Sequence, residues 1–368
     1  MNPAITSILE DRDILRFTLS GVNVSLANGL RRIILSDIDT VVFRTETYND
    51  NQCTIYDNTG RLHNEIVKQR LSSIPIHSTN LETLPGNYLM ELNIENDSDS
   101  MRIVTSGDFR IKNKESGGYL TDAETKKIFP SDPITHNFID FIRLRPKIGD
   151  TIPGEKINLT CEFSIANSKI NSMFNVVSKC SYGNTPDPTK AQEKWEEIEA
   201  RLASEGSTKD EIEFQKKNYK WLDAERSFVP DSFDFVVQTV GVFENKDIVM
   251  KACYVLQQRF TDMVQKIESD DIPVNISEIT VENSYDIILK DEDYTIGKII
   301  EYILYETFYK DETVTYCGFK KLHPHDTQSV IRIAYKEKTD KYLCKEHLKK
   351  ACNDAKDVFI RIYKIFKP

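Results

Sequence analysis

Residues 25–40 read SLANGLRRIILSDIDT, and this stretch constrains the fold more than any other part of the chain. Its apolar side chains recur at the spacing of one face of an α-helix. The apolar stripe consists of Leu26, Leu30, Ile33 and Ile34. The polar side chains off the stripe include Asn28, Arg31 and Arg32. Because a serine hydroxyl can accept a hydrogen bond from the first turn, we predict an amphipathic helix over 25–38 with Ser25 as its N-cap.

The surroundings of this helix occur a second time, in outline, near the end of the sequence. The earlier copy is predicted to have a strand at 14–19, the helix at 25–38, a strand at 233–240 and a helix at about 245–268. The later copy is predicted to have a strand at 284–289, a helix at 295–308 capped by Thr295, strands at 313–319 and 329–335, and a helix at about 341–366. The repetition indicates an internal duplication of architecture.

The two copies are predicted to pack against each other as a dimer within one chain. Helices 25–38 and 295–308 would provide the contact, together with the long helices that complete each copy. The apolar positions assigned to this core in the later copy are Ile296, Ile299, Ile300, Ile303, Leu304, Val358, Phe359 and Ile362. Each Leu or Ile that becomes fully buried stabilises the fold by about 1.5–3 kcal/mol.

The segments outside the two copies have different patterns. Residues 49–175 are rich in turn signals and short strand patterns, which predicts a β-rich insertion. Residues 189–226 are highly charged and predict a helical hairpin, with capping boxes at Thr189–Gln192 and Thr208–Glu211. The fold class is therefore α+β. The predicted domains are 1–48 with 176–268 (including the hairpin), the insertion at 49–175, a linker at 269–281 and the later copy at 282–368.

Composition excludes several classes of protein. The chain has 368 residues and a net charge of −10, which argues against coating nucleic acid by charge alone. No apolar run approaches the length of a membrane span, about 20 residues. The seven cysteines are widely spaced and form no CxxC pair, so we expect a reducing compartment and no bound metal. The N-terminal residues lack the pattern of a secretory signal.

The sequence contains only weak candidates for catalytic residues. The nucleotide-binding loops, the GxSxG elbow and the HExxH zinc motif are missing from the sequence. His323 and His325 flank Pro324 between two predicted strands, where turn residues are ordinary. Cys344, His347 and Cys352 share one predicted helix, but a fourth metal ligand is not evident. The acidic run 291–293 precedes a helix, where carboxylates favour the helix dipole. A dispersed active site stays open as an alternative.

Four segments together resemble the alpha-type subunits of cellular multisubunit RNA polymerases and their small partner. Residues 25–40 look like the motif shared by bacterial alpha, its archaeal D-type equivalent and the eukaryotic third-largest subunit. Residues 64–76, NEIVKQRLSSIPI, resemble the segment "DEFIAHRLGLIPL" of the same proteins. Residues 290–297 resemble the "EDHTLGN" motif of the small partner, which is the L-type protein of archaea, and residues 316–325 resemble its "AGYKxPHP" turn.

The resemblance implies that both partners of a polymerase assembly platform are fused in this chain, as in large cytoplasmic DNA viruses. It implies docking to the largest, second-largest and small polymerase subunits, with Asn28, Arg31 and Arg32 as docking residues. It implies that this chain is non-catalytic and binds no cofactor, and that Mg²⁺ belongs to the catalytic subunits. If the source is a virus, the resemblance implies a location in the host cytoplasm, at viral factories, with packaging in the virion as a further option. Otherwise it implies an intracellular protein that is not secreted. Sequence-specific DNA contact, membrane association and homodimerisation are not expected.

The sequence departs from the family pattern at several places. The insertion holds only Cys53 and Cys161, whereas many archaeal D-type proteins have clustered cysteines there. Lys298 stands where the small partner usually has Asn, and residues 164–181 match their family region poorly. Two other hypotheses stay open. The chain could be a free nucleic-acid-binding regulator on the same fold, and the polar residues of helix 25–38 could simply face water.

Overall fold

The computed structural model describes residues 1–149, 151–277 and 281–367. Within these ranges the strands are β1 (Ala4–Asp11), β2 (Ile14–Ser20), β3 (Thr40–Val42), β4 (Cys53–Asn58), β5 (Tyr88–Glu95), β6 (Arg102–Thr105), β7 (Arg110–Asn113), β8 (Asp140–Leu144), β9 (Lys156–Glu162), β10 (Ser164–Ala166), β11 (Val177–Pro186), β12 (Phe228–Thr239), β13 (Val274–Ile276), β14 (Ser284–Lys290), β15 (Val314–Lys320) and β16 (Gln328–Tyr335). The α-helices are α1 (Val24–Ser36), α2 (Asn64–Ser72), α3 (Asp122–Ile128), α4 (Pro188–Ser204), α5 (Lys209–Leu222), α6 (Asn245–Glu268), α7 (Tyr294–Leu304) and α8 (Lys341–Phe366). The predicted α+β class is confirmed.

The chain forms two compact units. The first unit contains residues 1–33, 179–237 and 249–368, and the second contains residues 34–178 and 238–248. These units are defined by how residues pack, whereas the domains predicted above are defined by sequence pattern. The predicted domain boundaries therefore stay a prediction. In the described part of the chain, no helix has both the length and the apolar character needed to cross a membrane.

The first unit contains one arrangement of elements twice. We call β1, β2, α1, β11, β12 and α6 the first repeat, and β13, β14, α7, β15, β16 and α8 the second repeat. In each repeat two strands precede a helix, and two more strands precede a long helix. The hydrogen-bonded order is β1-β2-β12-β11 in one sheet and β13-β14-β16-β15 in the other. The two orders are equivalent position by position, as expected for a duplicated architecture.

The sheet of the first repeat is held by aromatic packing. Phe17 of β2 stacks on Phe235 of β12, with ring centroids 5.0 Å apart. Phe366, at the end of α8, meets Phe17 edge-on at 5.2 Å. The Thr18 hydroxyl also donates to Asp234 at 2.7 Å. Strands β2 and β12 are thus joined on both faces, and the end of α8 packs against the first sheet at Phe17.

The second repeat packs α7 closely on its own sheet. Gly297 of α7 lies so near the ring of Phe319 on β15 that a Cβ atom there would overlap the ring. On the sheet, Asp286 and Arg332 are directly opposite, and two hydrogen bonds of 2.6 and 2.7 Å join them. Helix α7 also packs against α8. Gly297 therefore allows α7 to approach Phe319 of β15 more closely than a larger residue would permit.

The segment predicted as a linker, 269–281, contains part of the second repeat. Strand β13 pairs with β14 and forms an edge of the sheet. Ile272 and Val274 are buried. Residues 278–280 of the predicted linker lie outside the described residues. The alternation of apolar and polar residues is too short here to reveal a strand of three residues.

The second unit consists largely of the insertion. Its main sheet has the order β4-β9-β5-β7, with smaller pairs β6–β8 and β3–β10. Helices α2 and α3 belong to this unit. Five phenylalanines form a chain of ring contacts at its centre, with centroids 5.1–6.2 Å apart. They are Phe43, Phe109, Phe129 and Phe141, with Phe163 beside Phe43. The unit therefore has an apolar core of its own.

Helices α4 and α5 form the predicted helical hairpin. The capping box Thr208–Glu211 is confirmed. The box Thr189–Gln192 is wrong, because α4 begins at Pro188 and the Asp187 side chain caps it by accepting from the Lys190 amide. Trp195 is buried, whereas α5 buries no side chain among the described residues. The hairpin is therefore held mainly through one aromatic side chain.

Candidate assembly interface

Helix α1 begins one residue earlier than predicted, because Asn23 caps it instead of Ser25. The Asn23 side-chain oxygen accepts from the Ser25 amide at 3.0 Å and from the Ser25 hydroxyl at 2.8 Å. Asn is at least as good an N-cap as Ser, and it sits at the correct distance before the first turn. The cap fixes the direction in which α1 leaves β2.

All twelve residues predicted for the intrachain core are buried. On α1 these are Leu26, Leu30, Ile33 and Ile34, and on α7 and α8 they are Ile296, Ile299, Ile300, Ile303, Leu304, Val358, Phe359 and Ile362. Their partly exposed neighbours on α1 are Asn28, Arg31 and Arg32. The helix is thus amphipathic in the structure as well as in the sequence.

Gly29 is a contact residue that the sequence pattern did not reveal. It faces α7, and a Cβ atom at this position would lie 2.6 Å from the Ile299 Cδ1 atom and 3.6 Å from the Thr295 carbonyl oxygen. The two helices of the predicted intrachain dimer therefore meet at a glycine. A glycine inside a helix lowers the stability of the helix by about 1 kcal/mol relative to alanine. A glycine at such a position therefore indicates a packing role, and this was the signal that the sequence offered.

Arg32 joins the first repeat to the start of α7. Its Nε atom donates to the Thr295 hydroxyl at 2.7 Å, and its Nη2 atom donates to Asp293 at 2.8 Å. The other Asp293 oxygen accepts from the Thr295 amide at 2.8 Å and caps α7. The prediction that Thr295 caps this helix is therefore wrong. Aspartate lies at the N-cap, and Thr295 uses its hydroxyl to accept from Arg32.

These contacts favour the ionised form of Asp293. Burial of the carboxyl acts to raise its pKa, but the hydrogen bonds from Thr295 and the charge of Arg32 outweigh burial. The pKa of Asp293 therefore lies below its ordinary value. The side chains of Arg32 and Asp293 are 38% and 37% exposed, so solvent screens their attraction.

Arg31 has a different environment from Arg32. Its Nε atom donates to the Asn28 side-chain oxygen at 3.0 Å, within α1. Its charge also acts on the sheet of the first repeat. Burial raises the pKa of Cys180 to about 12, and the charge of Arg31 opposes that rise. Asn28 and Arg31 thus form one partly exposed polar pair on the face of α1.

The long helices of the two repeats also meet. Phe260 of α6 stacks on Phe359 of α8 with centroids 6.2 Å apart. The Gln257 side chain donates to the Phe359 carbonyl at 3.3 Å. At the end of α6, Glu268 pairs with Lys349 at 2.6 Å. Apolar contact at the centre and charged contact at the edge therefore join α6 to α8.

The structure gives the other candidate residues ordinary structural positions. His323 and His325 lie in the exposed turn between β15 and β16, with ring centroids 5.0 Å apart. Cys344 and Cys352 are buried on α8, and burial raises the pKa of both thiols. The His347 ring stacks on Phe308 with centroids 3.8 Å apart. Among the described residues, no group of His, Cys, Asp or Glu side chains is arranged to hold a metal ion.

Two parts of the chain match models of the same kind of domain. Residues 16–260 match a family described as the RNA polymerase Rpb3/Rpb11 dimerisation domain. Residues 284–363 match a second family with the same description. The two matches cover most of the first and second repeats but leave out the edge strands β1 and β13. The first match also spans the insertion and the hairpin.

Several curated proteins are similar to most of the chain. "DNA-directed RNA polymerase subunit Rpo3" of Pyrococcus furiosus is 24% identical over 288 residues, covering 71% of this chain and 97% of the relative. "DNA-directed RNA polymerases I and III subunit RPAC1" of Bos taurus is 24% identical over 306 residues, covering 71% and 84%. A "conjugation stage-specific protein" of Tetrahymena thermophila is 24% identical over 298 residues, covering 69% and 91%.

Proposed function

Because the chain belongs to the RNA polymerase Rpb3/Rpb11 dimerisation-domain family, we propose that it is the non-catalytic assembly platform of a DNA-directed RNA polymerase. The observation that carries this proposal is the presence of two equivalent repeats in one compact unit. The match to the archaeal relative covers 97% of that protein but 71% of this chain. The second repeat supplies a further matched domain at 284–363.

The platform docks the second-largest polymerase subunit and then the largest, and small polymerase subunits join them. Asn28 and Arg31 on the partly exposed face of α1 provide the docking contact. A guanidinium suits this role because its planar fork makes two charge-assisted hydrogen bonds to a carboxylate. Arg32 takes part in docking as well, and it also holds α7 in place through Asp293 and Thr295.

The proposal assigns the chemistry of nucleotide addition to the two largest subunits, which carry the catalytic Mg²⁺. This chain binds no cofactor and contributes geometry alone. The fusion of both platform partners supports a large DNA virus as its source, with transcription in the host cytoplasm at viral factories and packaging of the enzyme in the virion. Purification of the chain from its native source, with identification of the copurifying proteins, tests the source and the partners together.

The docking role is tested by co-expression with the two largest subunits of the same polymerase. Arg31→Ala should reduce the amount of the two largest subunits that copurifies with the tagged chain several-fold. Arg31→Lys should restore only part of that amount, because lysine keeps the charge but lacks the planar fork. Arg226→Ala is the matched control, because the Arg226 side chain is 81% exposed on the hairpin. Circular dichroism should show that all three variants fold.

Unchanged recovery with Arg31→Ala contradicts the docking role of α1. Failure of the unaltered chain to bind either large subunit contradicts the platform proposal itself. Salt-dependent binding of DNA by the isolated chain would instead support a free nucleic-acid-binding regulator.

A further inference from the structure

Two cysteines of the insertion lie directly opposite each other on adjacent strands. Cys53 of β4 is the register partner of Cys161 of β9. Both are buried, with 2% and 0% of their surface exposed. Among the residues that the structure describes, β4 is an edge strand of its sheet and is paired with β9 alone. Local separation of an edge strand requires the loss of fewer contacts than separation of a central strand.

The register places the Cα atoms of Cys53 and Cys161 within the range of separations that a disulfide spans. The Glu162 amide donates to the Gln52 carbonyl at 3.1 Å, so the pair 52/162 is hydrogen-bonded. Hydrogen-bonded and non-hydrogen-bonded pairs alternate in an antiparallel ladder, and 53/161 is therefore a non-hydrogen-bonded pair. Its Cα atoms are about 4.5 Å apart by this rule. Disulfides join Cα atoms that are about 4.4–6.8 Å apart.

The two thiols differ in their tendency to ionise. A hydrogen bond from Cys161 and the charge of Lys68 lower the pKa of Cys53, although burial opposes them. Burial is the main cause that raises the pKa of Cys161, and the neighbouring Cys53 adds to it. The thiolate is the reactive form of cysteine. Because β4 is the edge strand, its local separation also exposes Cys53 to a reagent before Cys161 of the inner strand β9.

We propose that Cys53 and Cys161 form a reversible cross-strand disulfide when the protein meets a peroxide. The Cys53 thiolate attacks one oxygen of hydrogen peroxide, the O–O bond breaks, and the departing hydroxide takes a proton to become water. The resulting sulfenic acid is attacked by the Cys161 sulfur. The S–S bond forms, the S–O bond breaks, and the hydroxyl leaves as water with the thiol proton. The two sulfur atoms together supply the two electrons that reduce the peroxide.

Reduction by a dithiol reverses the modification, because its thiolate attacks one sulfur of the disulfide and finally leaves as its own cyclic disulfide. While it exists, the bond fixes the edge strand β4 to β9 by a covalent link. A cross-link reduces the conformational entropy of the unfolded chain. The oxidised insertion should therefore unfold at a higher urea concentration than the reduced one.

The test uses the full chain treated with hydrogen peroxide, digested without reduction and mapped by mass spectrometry. We expect one new cross-linked peptide pair that contains residues 53 and 161 and disappears after treatment with dithiothreitol. Cys53→Ala and Cys161→Ala should each abolish it. Cys253→Ala is the matched control, because Cys253 is also fully buried but lies on α6.

The experiment on the unaltered chain decides the proposal even if a variant fails to fold. The proposal is overturned if the folded, unaltered chain gives no 53–161 cross-link at peroxide levels that oxidise an exposed reference thiol. It is also overturned if other cysteines cross-link in equal yield, or if the link forms only after denaturation in urea.

Discussion

Asp293 acts on two helices with its two carboxylate oxygens. One oxygen accepts from the Thr295 amide and caps α7, and the other accepts from Arg32 of α1. The two functions can be separated by substitution. Asparagine retains the N-cap of α7 but removes the charge that the ion pair with Arg32 requires.

The two functions of Asp293 predict a graded series of stabilities. Asp293→Ala loses the cap and the ion pair, and should lower the free energy of unfolding by about 1–2 kcal/mol. Asp293→Asn keeps a good cap and loses an exposed ion pair, so its effect should be about 0.2–1 kcal/mol. Urea unfolding followed by circular dichroism measures both. Equal effects of the two substitutions would show that the cap contributes nothing.

A double-mutant cycle isolates the contact between Arg32 and Asp293. The combination of Arg32→Ala with Asp293→Ala should cost less than the sum of the single substitutions, because each single variant already breaks the pair. Strict additivity would contradict an energetic role for the pair.

The lowered pKa of Asp293 predicts the pH range in which the carboxylate stabilises the fold. A carboxyl whose pKa is lower in the folded state contributes stability above its unfolded value, about 3.9. That contribution is lost as the pH falls through the folded pKa. The difference in unfolding free energy between the unaltered chain and Asp293→Asn should therefore be constant from about pH 5 to 8 and shrink below about pH 4. A difference that grows at acidic pH would contradict this sign.

Residue-level prediction from the sequence succeeded for burial and failed for caps. The burial of Leu30 and Ile300 followed from helical periodicity, which depends only on local spacing. The caps of α1 and α7 were placed two residues late because Ser25 and Thr295 are also good capping residues. Choosing Asn23 and Asp293 requires the backbone angles at the helix start, which the sequence alone does not supply. Gly29 was missed because its partner, Ile299, is 270 positions away in the sequence.

At the scale of elements, the hairpin differs most from its surroundings. Both tryptophans of the chain lie in it. Trp195 is 2% exposed and Trp221 is 79% exposed. The backbone enters and leaves the hairpin at one place, where the Asp187 amide donates to the Ser227 carbonyl at 2.9 Å. Intrinsic tryptophan fluorescence therefore reports on this element alone.

The small apolar core of the hairpin predicts that it unfolds early. In urea, the fluorescence transition should occur at a lower concentration than the circular dichroism transition, because few buried contacts hold α5. Trp221→Phe should leave the transition in place, since Trp195 carries the buried signal. Trp195→Phe should remove most of the signal change. Coincident transitions in the unaltered chain would show that the hairpin and the rest of the first unit unfold together.

Elements could be predicted where they are long and periodic. The helices at 245–268 and 341–366 have the same limits in the structure. The helix predicted over 295–308 differs, because α7 ends at Leu304 and a π-helical turn follows at Tyr305–Tyr309. The sheet order β4-β9-β5-β7 in the insertion was not predicted. Such an order depends on pairing between strands that are far apart in the sequence, and turn signals carry no information about it.

At the scale of the molecule, the duplication predicts that the two repeats pair with each other without a second chain. If the two repeats pair within one chain, the midpoint of thermal unfolding should not change over a hundredfold range of protein concentration. Cleavage at a protease site inserted in the segment 269–281 should make the midpoint depend on concentration. A midpoint that rises with concentration in the intact chain would indicate homodimerisation instead.

The duplication was predicted in outline because each copy places an apolar helix stripe after a strand pattern. The equivalence of the two sheet orders was beyond the sequence, since the first copy is interrupted by about 140 residues between α1 and β11. The docking roles of Asn28, Arg31 and Arg32 also stay predictions, because a polar side chain that faces solvent does not by itself identify a partner.

The interruption of the first repeat affects how the protein folds during its synthesis on the ribosome. Thr18 and Asp234, which join β2 to β12, are 216 positions apart. At about 5–20 residues per second, the ribosome needs on the order of 10–40 s to make the intervening chain. During that interval β2 lacks its inner neighbour and exposes a strand edge to other nascent chains. The second repeat, which begins and ends within 274–366, has no such delay. Chaperone demand should therefore fall mainly on the first two thirds of translation, before β12 has been made.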